Sequence, residues 1–224
     1  MSITGEPPWN ERSANALPVA LQALWEINER CLELLRNGAR GEGSATQGFG
    51  GPVRARLRRS TKEIRRRAAE RKFLLLNMEF ENEEWWRTAR ALIPKRFKET
   101  SWPECFPQGS AVPLARATLS LAWHSLRTEA WVPTSCVLLG MSRGVGELMR
   151  ELQLWEIDRI AEQRYRHLQP RWRDRPQFWE ELLMAAESAD REEMRNVELH
   201  GLQLLVGELL AGSRGGGTWR PPQR

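Results

Sequence analysis

The chain has 224 residues, 28% of them charged, and a formal net charge of +5. Its 17 glycines and 13 prolines are close to the share of an average globular protein, which excludes collagen-like and wholly disordered classes. No apolar run reaches the roughly 18 to 20 residues of a membrane span, and residues 1–9 lack the basic and apolar regions of a secretory signal. The three cysteines have neither disulfide-scaffold nor metal-site spacing. We therefore expect a cytoplasmic protein that does not enter a membrane.

The N-terminal part of the chain is predicted to be one helix between two flexible stretches. Residues 1–16, which include Pro7 and Pro8, are expected to form a loose arm. From Leu17 the apolar residues follow a helical spacing as far as Asn37, where Gly38 is a natural stop. Residues 38–52 contain six glycines without periodicity, which is typical of a flexible linker.

The positive charge is concentrated in the next segment. Between Arg54 and Lys72 the sequence has ten basic and two acidic residues, whereas the other 205 residues carry a net charge of −3. Apolar residues form only a narrow stripe in this segment, at Leu57, Ile64 and Ala68. We therefore predict one helix that is mostly solvated.

This basic helix has two interpretations. It could contact DNA, because arginine side chains match phosphate oxygens and released counterions supply affinity. The candidate DNA-binding residues are Arg58, Arg59, Lys62, Arg65 and Arg66. Alternatively, it is an ordinary solvated face, partly neutralised by pairs four residues apart such as Glu63 with Arg67.

The first unit, residues 17–93, is predicted to end in an aromatic helix. The apolar run at 73–76 could be a buried extended piece or a helix end. Asn82 can cap a helix that carries Trp85 and Trp86 and that Pro94 ends. Residues 94–113, with four prolines, are expected to connect this unit to a second one at residues 114–211.

The second unit is predicted to repeat this order of elements. A helix over 114–131 is followed by Pro133, by a short segment at 137–149 and by a helix with apolar residues from 154 to 161. Asp174, Pro176 and Gln177 form a capping-box pattern for a helix bearing Phe178 and Trp179. A last helix runs from about residue 189 to 211, and residues 212–224 are expected to be a disordered tail.

The fold class predicted from these patterns is all-α, with two similar small helical bundles in tandem. At a shift of 93 residues, Ile64 matches Ile157, and the pair Trp85 and Trp86 matches the aromatic pair at 178–179. Such matches also arise by chance between helical segments. If the repeat is a true duplication, the two units would pack on each other as a pseudo-dimer.

The second unit resembles the flagellar transcriptional activator FlhD family. Five stretches carry the resemblance: TLSL at 118–121, LLGMS at 138–142, LQLWEIDRIAE at 152–162, RWRD at 171–174 and LHGL at 199–202. In this order they are similar to the family's NLSYLLLAQ, RLGI, ALTLPQMVKLAE, FRFD and IHTGI segments. In the first unit, the glycine-rich stretch from Gly38 stands where the family has its LGI turn.

The resemblance implies a mostly helical subunit of a transcription regulator. Such subunits form intertwined dimers and act with the zinc-containing partner FlhC at flagellar promoters, and the matching positions for partner binding are Leu199, His200 and Leu202. A typical family member is about half as long as this chain, which agrees with a tandem. The family's cysteine before its FRFD segment is absent, because residues 167–169 read HLQ, so no inter-subunit disulfide is expected there.

Motifs for catalysis are missing from the sequence. There is no GxSxG, no P-loop and no dinucleotide-binding glycine motif after a strand. The histidines at 124, 167 and 200 fall in three different elements, without the spacing of metal ligands. We expect no enzymatic activity, no metal and no cofactor.

Two functions from different classes remain. The first is a regulator subunit that acts with an FlhC-like partner, touches DNA through the basic helix and can form homo-oligomers. The second is a helical adaptor that binds another protein and has no DNA affinity. A helix-turn-helix over residues 54–93 is a weaker interpretation, because Trp85 and Trp86 would stand where base-reading polar side chains belong. We expect both tryptophans to pack between helices.

Overall fold

The computed structural model describes residues 11–41, 46, 48–91, 104–127 and 132–214. These residues form ten α-helices: α1 Glu11–Arg40, α2 Gly51–Arg59, α3 Lys62–Ala69, α4 Glu83–Arg90, α5 Gln108–Leu126, α6 Val132–Leu139, α7 Arg143–Arg150, α8 Leu154–Arg164, α9 Pro176–Ser188 and α10 Arg191–Arg214. Two short strands, β1 Leu76–Asn77 and β2 Gln169–Pro170, pair antiparallel. The prediction of an all-α fold is confirmed. Of the helices described, none is both long and apolar enough to span a bilayer.

The helices of the two predicted units pack into one another. The long helix α1 contacts α2, α3 and α5, while α5 contacts α6, α7 and α8. Across the units, α9 packs on α2 and α3, and α4 packs on α7 and α8. Buried apolar side chains from both units form one continuous cluster. The chain is therefore held together by contacts that cross the boundary between the predicted units.

An asparagine on α1 organises the centre of the first unit. The apolar side of α1 buries Leu24, Cys31 and Leu35, and Asn28 lies among them with its side chain fully buried. The Asn28 amide group donates to the carbonyls of residues 69 and 73, and its oxygen accepts from the backbone N–H of residue 75, at distances of 2.8 to 3.1 Å. The apolar run at 73–76 is thereby fixed as a buried extended piece, one of the two predicted alternatives.

The prediction of a single basic helix between Arg54 and Lys72 is wrong, because the segment forms two helices, α2 and α3. The chain breaks at Ser60, whose hydroxyl donates to the Leu57 carbonyl. Thr61 then caps α3, its hydroxyl accepting a hydrogen bond from the Ile64 N–H. The local hydroxyl groups compete with the helical hydrogen bonds and favour a new helix start.

Helices occupy part of each segment that composition predicts to be flexible. The backbone of residues 11–16, assigned to a loose arm by the sequence, belongs to α1, which also continues past Gly38 to Arg40. The expected linker at 38–52 contributes buried Phe49, whose ring packs on Trp179. The expected connector at 94–113 ends early because α5 begins at Gln108, and the predicted helix over 114–131 ends at Leu126. Residues 1–10, 92–103 and 215–224 lie outside the described residues.

The two predicted caps of the aromatic helices have different outcomes. The Asn82 side chain accepts from the Trp85 N–H at 3.0 Å, so this cap of α4 is confirmed. The prediction of a capping box at Asp174 is wrong. Helix α9 starts at Pro176, its N-cap residue is Arg175, and no side chain caps the helix. Proline at the first helical position places the boundary one residue later than the box requires.

The aromatic pairs are packing residues, as predicted. Trp85, Trp86, Phe178 and Trp179 are all buried, and each pair makes an edge-to-face contact. A fully buried aromatic residue cannot serve as an exposed recognition surface.

Candidate functional site

The basic segment lies on α2, on the turn at Ser60 and on α3. Four of the five predicted DNA-binding residues are exposed, and these are Arg58, Arg59, Lys62 and Arg66. The fifth, Arg65, is only 8% exposed, and its guanidinium group donates to the Ser60 carbonyl at 2.9 Å. Four of the predicted residues can therefore meet a large ligand directly, whereas Arg65 supports the turn between α2 and α3.

Much of the segment's charge is neutralised by carboxylates from distant helices. Glu187 on α9 pairs with Arg56 and Arg59. Glu198 on α10 pairs with buried Arg71 at 3.5 Å and with Lys72 at 3.1 Å. These pairs attach α9 and α10 to the basic segment, and they leave fewer cations for an external ligand than the sequence suggests.

Pairs within the segment account for two more cations. Glu63 lies 3.3 Å from Arg67, as the spacing predicts, and Glu70 lies 3.2 Å from Arg66. Exposed pairs of this kind contribute little to stability and are easily exchanged for a stronger anion. Arg66 therefore stays available to a polyanionic ligand.

Two arginines of α1 join the exposed cations. Arg36 and Arg40 lie one turn apart at the end of α1, and the Arg40 Nε donates to the Arg58 carbonyl at 3.4 Å. In return, the Arg58 Nε donates to the Ala39 carbonyl at 3.0 Å. We define the basic surface by its exposed or half-buried members, which are Arg36, Arg40, Arg58, Arg59, Lys62 and Arg66.

Most of the basic surface lacks its own counter-charge. Among the described residues, no carboxylate lies within ion-pair distance of Arg36, Arg40, Arg58 or Lys62. Sequence reasoning missed the contribution of α1, because the glycine-rich stretch separates it from the basic segment. The spacing of Arg36 and Arg40 by four residues was the available signal.

The predicted partner-binding residues are divided between surface and interior. Leu199 is 50% exposed, whereas Leu202 packs against the core. His200 lies against the Phe178 ring, and its Nδ1 is 2.7 Å from a carboxylate oxygen of Glu181. Only Leu199 of the three is a free apolar contact point.

An open groove connects α10 with the end of the basic segment. Its volume is about 800 Å³, and its apolar lining comes from Met194, Leu199 and Leu202. Arg67 and Lys72 are among the basic residues at its sides. The structure therefore brings two of the predicted partner-binding residues next to the predicted DNA-binding segment.

Metal-ligating side chains are not clustered, and the cysteines are free, in the part of the chain that the structure describes. The described residues contain no group of three or more histidine, cysteine or acidic residues that could hold a metal ion. The cysteines at 31, 105 and 136 are buried and unpaired with one another. Burial raises the pKa of all three thiols, and a protonated thiol is a poor nucleophile.

The chain was compared with protein-family models, with curated protein sequences and with solved structures, and none of them matches it.

Proposed function

We propose that the protein is an FlhD-like regulator subunit that contacts DNA through its basic surface and acts with an FlhC-like partner. It is a non-enzymatic cytoplasmic protein in this proposal, and its chain is a fused pair of FlhD-like units. The observation that carries the proposal is the basic surface itself, a set of exposed cations that mostly lack carboxylate partners. Phosphate groups of DNA would supply the missing counter-charge.

The strand pairing supports the fused pair. Leu76 pairs with Pro170 and Asn77 pairs with Gln169. At the 93-residue shift, position 76 corresponds to 169 and position 77 to 170, so each pairing is the counterpart of the other. Reciprocal pairing of this kind is what a two-fold axis between identical units produces.

Backbone geometry beside the strands follows the same shift. Glu79 has a φ angle of 55° and Trp172 one of 53°, and the two positions are 93 residues apart. Left-handed backbone is uncommon outside glycine, so its occurrence at equivalent positions argues for a common ancestor of the units.

The helix contacts are also reciprocal. Helix α3 packs on α9, and α8 packs on α4. At the 93-residue shift α3 corresponds to α8 and α4 to α9, so each unit places its aromatic helix on the other unit. An intertwined dimer of single units would have the same exchange, with the contact between α1 and α5 at its centre.

Charge reversal tests the DNA contact. Arg58, Arg59 and Lys62 are changed together to glutamate, because all three are exposed and outside the core. We expect fluorescence anisotropy with a labelled DNA duplex to show loss of most of the affinity. The matched control reverses three exposed arginines elsewhere, Arg127, Arg143 and Arg175. Equal loss in both variants, or no binding by the unmodified chain, would remove the basis of the DNA proposal.

Cleavage tests the fused pair. A protease site is inserted within residues 92–103, between the two units, and the cut chain is passed over a size-exclusion column. We expect the pieces to elute together, because α4 and α9 each pack on the other unit. Separation of the pieces without denaturant would contradict an intertwined pair.

The adaptor function is the second candidate, and the groove beside α10 favours it. Leu199 and Val206 are exposed seven residues apart on α10, which gives a partner helix an apolar stripe to pack on. An adaptor would bind a protein in this groove and show no affinity for DNA at any salt concentration. Leu199→Asp would then abolish partner binding, whereas the charge reversal above would not.

A further inference from the structure

We propose that Arg36, Arg40 and Arg65 form a binding site for a single phosphate group. The site lies where the end of α1 meets the turn between α2 and α3. The assignment of this site to a phosphate of DNA rests on the proposed function. The capacity of the site to bind free phosphate is independent of that function.

This cluster has unsatisfied hydrogen-bonding capacity. The Nε atoms of Arg36 and Arg65 are both buried without a hydrogen-bond partner, and the Nε atoms of Arg54 and Arg71 share this property. Buried polar groups without a partner are uncommon, and one explanation for them is a missing ligand. Arg36 and Arg65 differ from Arg71 in that no carboxylate of the described residues lies at ion-pair distance from them, and the two features together point to an absent acceptor with several oxygen atoms.

The three guanidinium groups also carry like charge. Burial and the charges of Arg36 and Arg40 lower the pKa of Arg65, although Glu29 and Glu33 oppose this effect. Arg36 and Arg40 therefore repel Arg65, while the carboxylates of Glu33 and Glu29 attract it. Among the described residues no carboxylate lies within ion-pair distance of any of the three guanidinium groups. A phosphate group would turn this repulsion into attraction, since a guanidinium fork donates two parallel hydrogen bonds to it.

Hydrogen bonds hold the surroundings of the cluster in place. Arg58 and Arg40 exchange hydrogen bonds with the carbonyls of α1 and α2, and Arg65 is fixed on the Ser60 carbonyl. The backbone around the site is thus positioned before any ligand arrives. Preorganised donors lose little conformational freedom when they bind, which favours affinity.

Other arginines of the segment provide the contrast. Arg56 and Arg71 are also poorly exposed, but each has a carboxylate partner, Glu187 or Glu198. The fold therefore supplies counter-charges to the arginines that attach α9 and α10, and it leaves the cluster at the end of α1 without a carboxylate of the described residues at ion-pair distance.

The first arm of the test uses inorganic phosphate. Thermal unfolding is followed at constant ionic strength while phosphate replaces chloride. We expect a saturable rise in the Tm of the unmodified chain. Arg36→Gln with Arg40→Gln should abolish this rise. Without phosphate the double variant should still unfold in one cooperative transition, because the relief of repulsion offsets the lost hydrogen bond from Arg40 to the Arg58 carbonyl. A control variant, Arg127→Gln with Arg143→Gln, should keep the full phosphate response.

The second arm uses DNA. The salt dependence of binding to a labelled duplex is measured for the same variants. Loss of one phosphate contact should make the slope of log affinity against log salt shallower by about 0.9. Circular dichroism verifies that each variant is folded. If the double variant is unfolded, both measurements are made on Arg40→Gln alone, because Arg40 is exposed.

The outcomes separate this inference from the proposed function. One outcome is a phosphate response that depends on Arg36 and Arg40, without any DNA binding. This outcome supports the site, with free phosphate as its ligand, and refutes the DNA function. DNA binding without a phosphate response, and with an unchanged slope in the variant, overturns the site and leaves the DNA function standing. An equal phosphate response in all variants also overturns the site.

Discussion

Arg171 is expected to be one of the residues on which the stability of the fold depends most. Its side chain is 1% exposed, and it donates to a Glu208 carboxylate oxygen at 2.7 Å and to the Leu139 carbonyl at 2.9 Å. Its backbone carbonyl accepts a hydrogen bond from the Trp179 indole at 2.9 Å. The guanidinium group thereby connects α6 with α10, beside the strand pair.

The change Arg171→Met keeps the apolar part of the side chain and removes the charge. Breaking a buried ion pair costs about 3–5 kcal/mol because the partner is left without its counter-charge. The Glu208 side chain is 32% exposed, so water can rehydrate its carboxylate. We therefore expect a loss near the lower end, about 3 kcal/mol, or a shift of about 1 to 2 M in the urea midpoint.

Equilibrium urea unfolding followed by tryptophan fluorescence measures this loss. Arg175→Met is the matched control, since Arg175 is exposed and should change stability by less than about 0.5 kcal/mol. Adding Glu208→Leu to Arg171→Met should restore part of the stability, because no carboxylate is then left without its partner. A loss below about 1 kcal/mol for Arg171→Met would refute the reasoning, since it would mean that the ion pair and its carbonyl contact contribute no net stability.

The remaining predictions concern burial. Trp179→Ala should cost about 3–5 kcal/mol, whereas exposed Trp155→Ala should change the urea midpoint little; equal effects would contradict the packing account. Burial raises the pKa of Glu81, although the charge of Arg171 and the hydrogen bond from Asn77 oppose this shift. The folded state therefore keeps the Glu81 proton to a higher pH than the unfolded state does. The stability of the fold then falls as the pH rises from the unfolded-state pKa through the folded-state pKa. Glu81→Gln should therefore stabilise the protein at pH 7 and lose this advantage near pH 4, and a variant that is less stable than the unmodified chain at pH 7 would contradict this direction of the pKa shift. Iodoacetamide at pH 8 should modify none of the three buried cysteines until urea unfolds the chain, and mass spectrometry of the native protein would reveal any exception.

Local patterns predicted most of the helices. Asn82 is a good capping residue at a fixed distance before the aromatic pair, and the structure uses it as one. Trp85, Trp86 and Trp179 were expected in the interior because their size favours packing, and all three are buried. Such inferences succeed because the interactions that decide them lie within a few residues along the chain.

The candidate site could be predicted only in part, because its final form depends on distant contacts. Arg65 and Arg71 are buried, although arginine is usually exposed. The folded chain provides their acceptors. Arg65 donates to the Ser60 carbonyl, and Arg71 interacts with the Met194 carbonyl and the Glu198 carboxylate. Two of the four neutralising carboxylates, Glu187 and Glu198, come from α9 and α10, more than a hundred residues along the chain. The contribution of Arg36 likewise requires the packing of α1 on α3.

The salt dependence of DNA binding by the unmodified chain tests the central claim most directly. Fluorescence anisotropy with a labelled duplex is recorded over a series of salt concentrations, with and without an FlhC-like protein. We predict that log affinity falls linearly with log salt, at a slope of about −0.9 for each phosphate contacted, and that the chain alone has little sequence preference. Absence of binding at low salt under both conditions, or an affinity that does not change with salt, would contradict the claim that the basic surface contacts DNA.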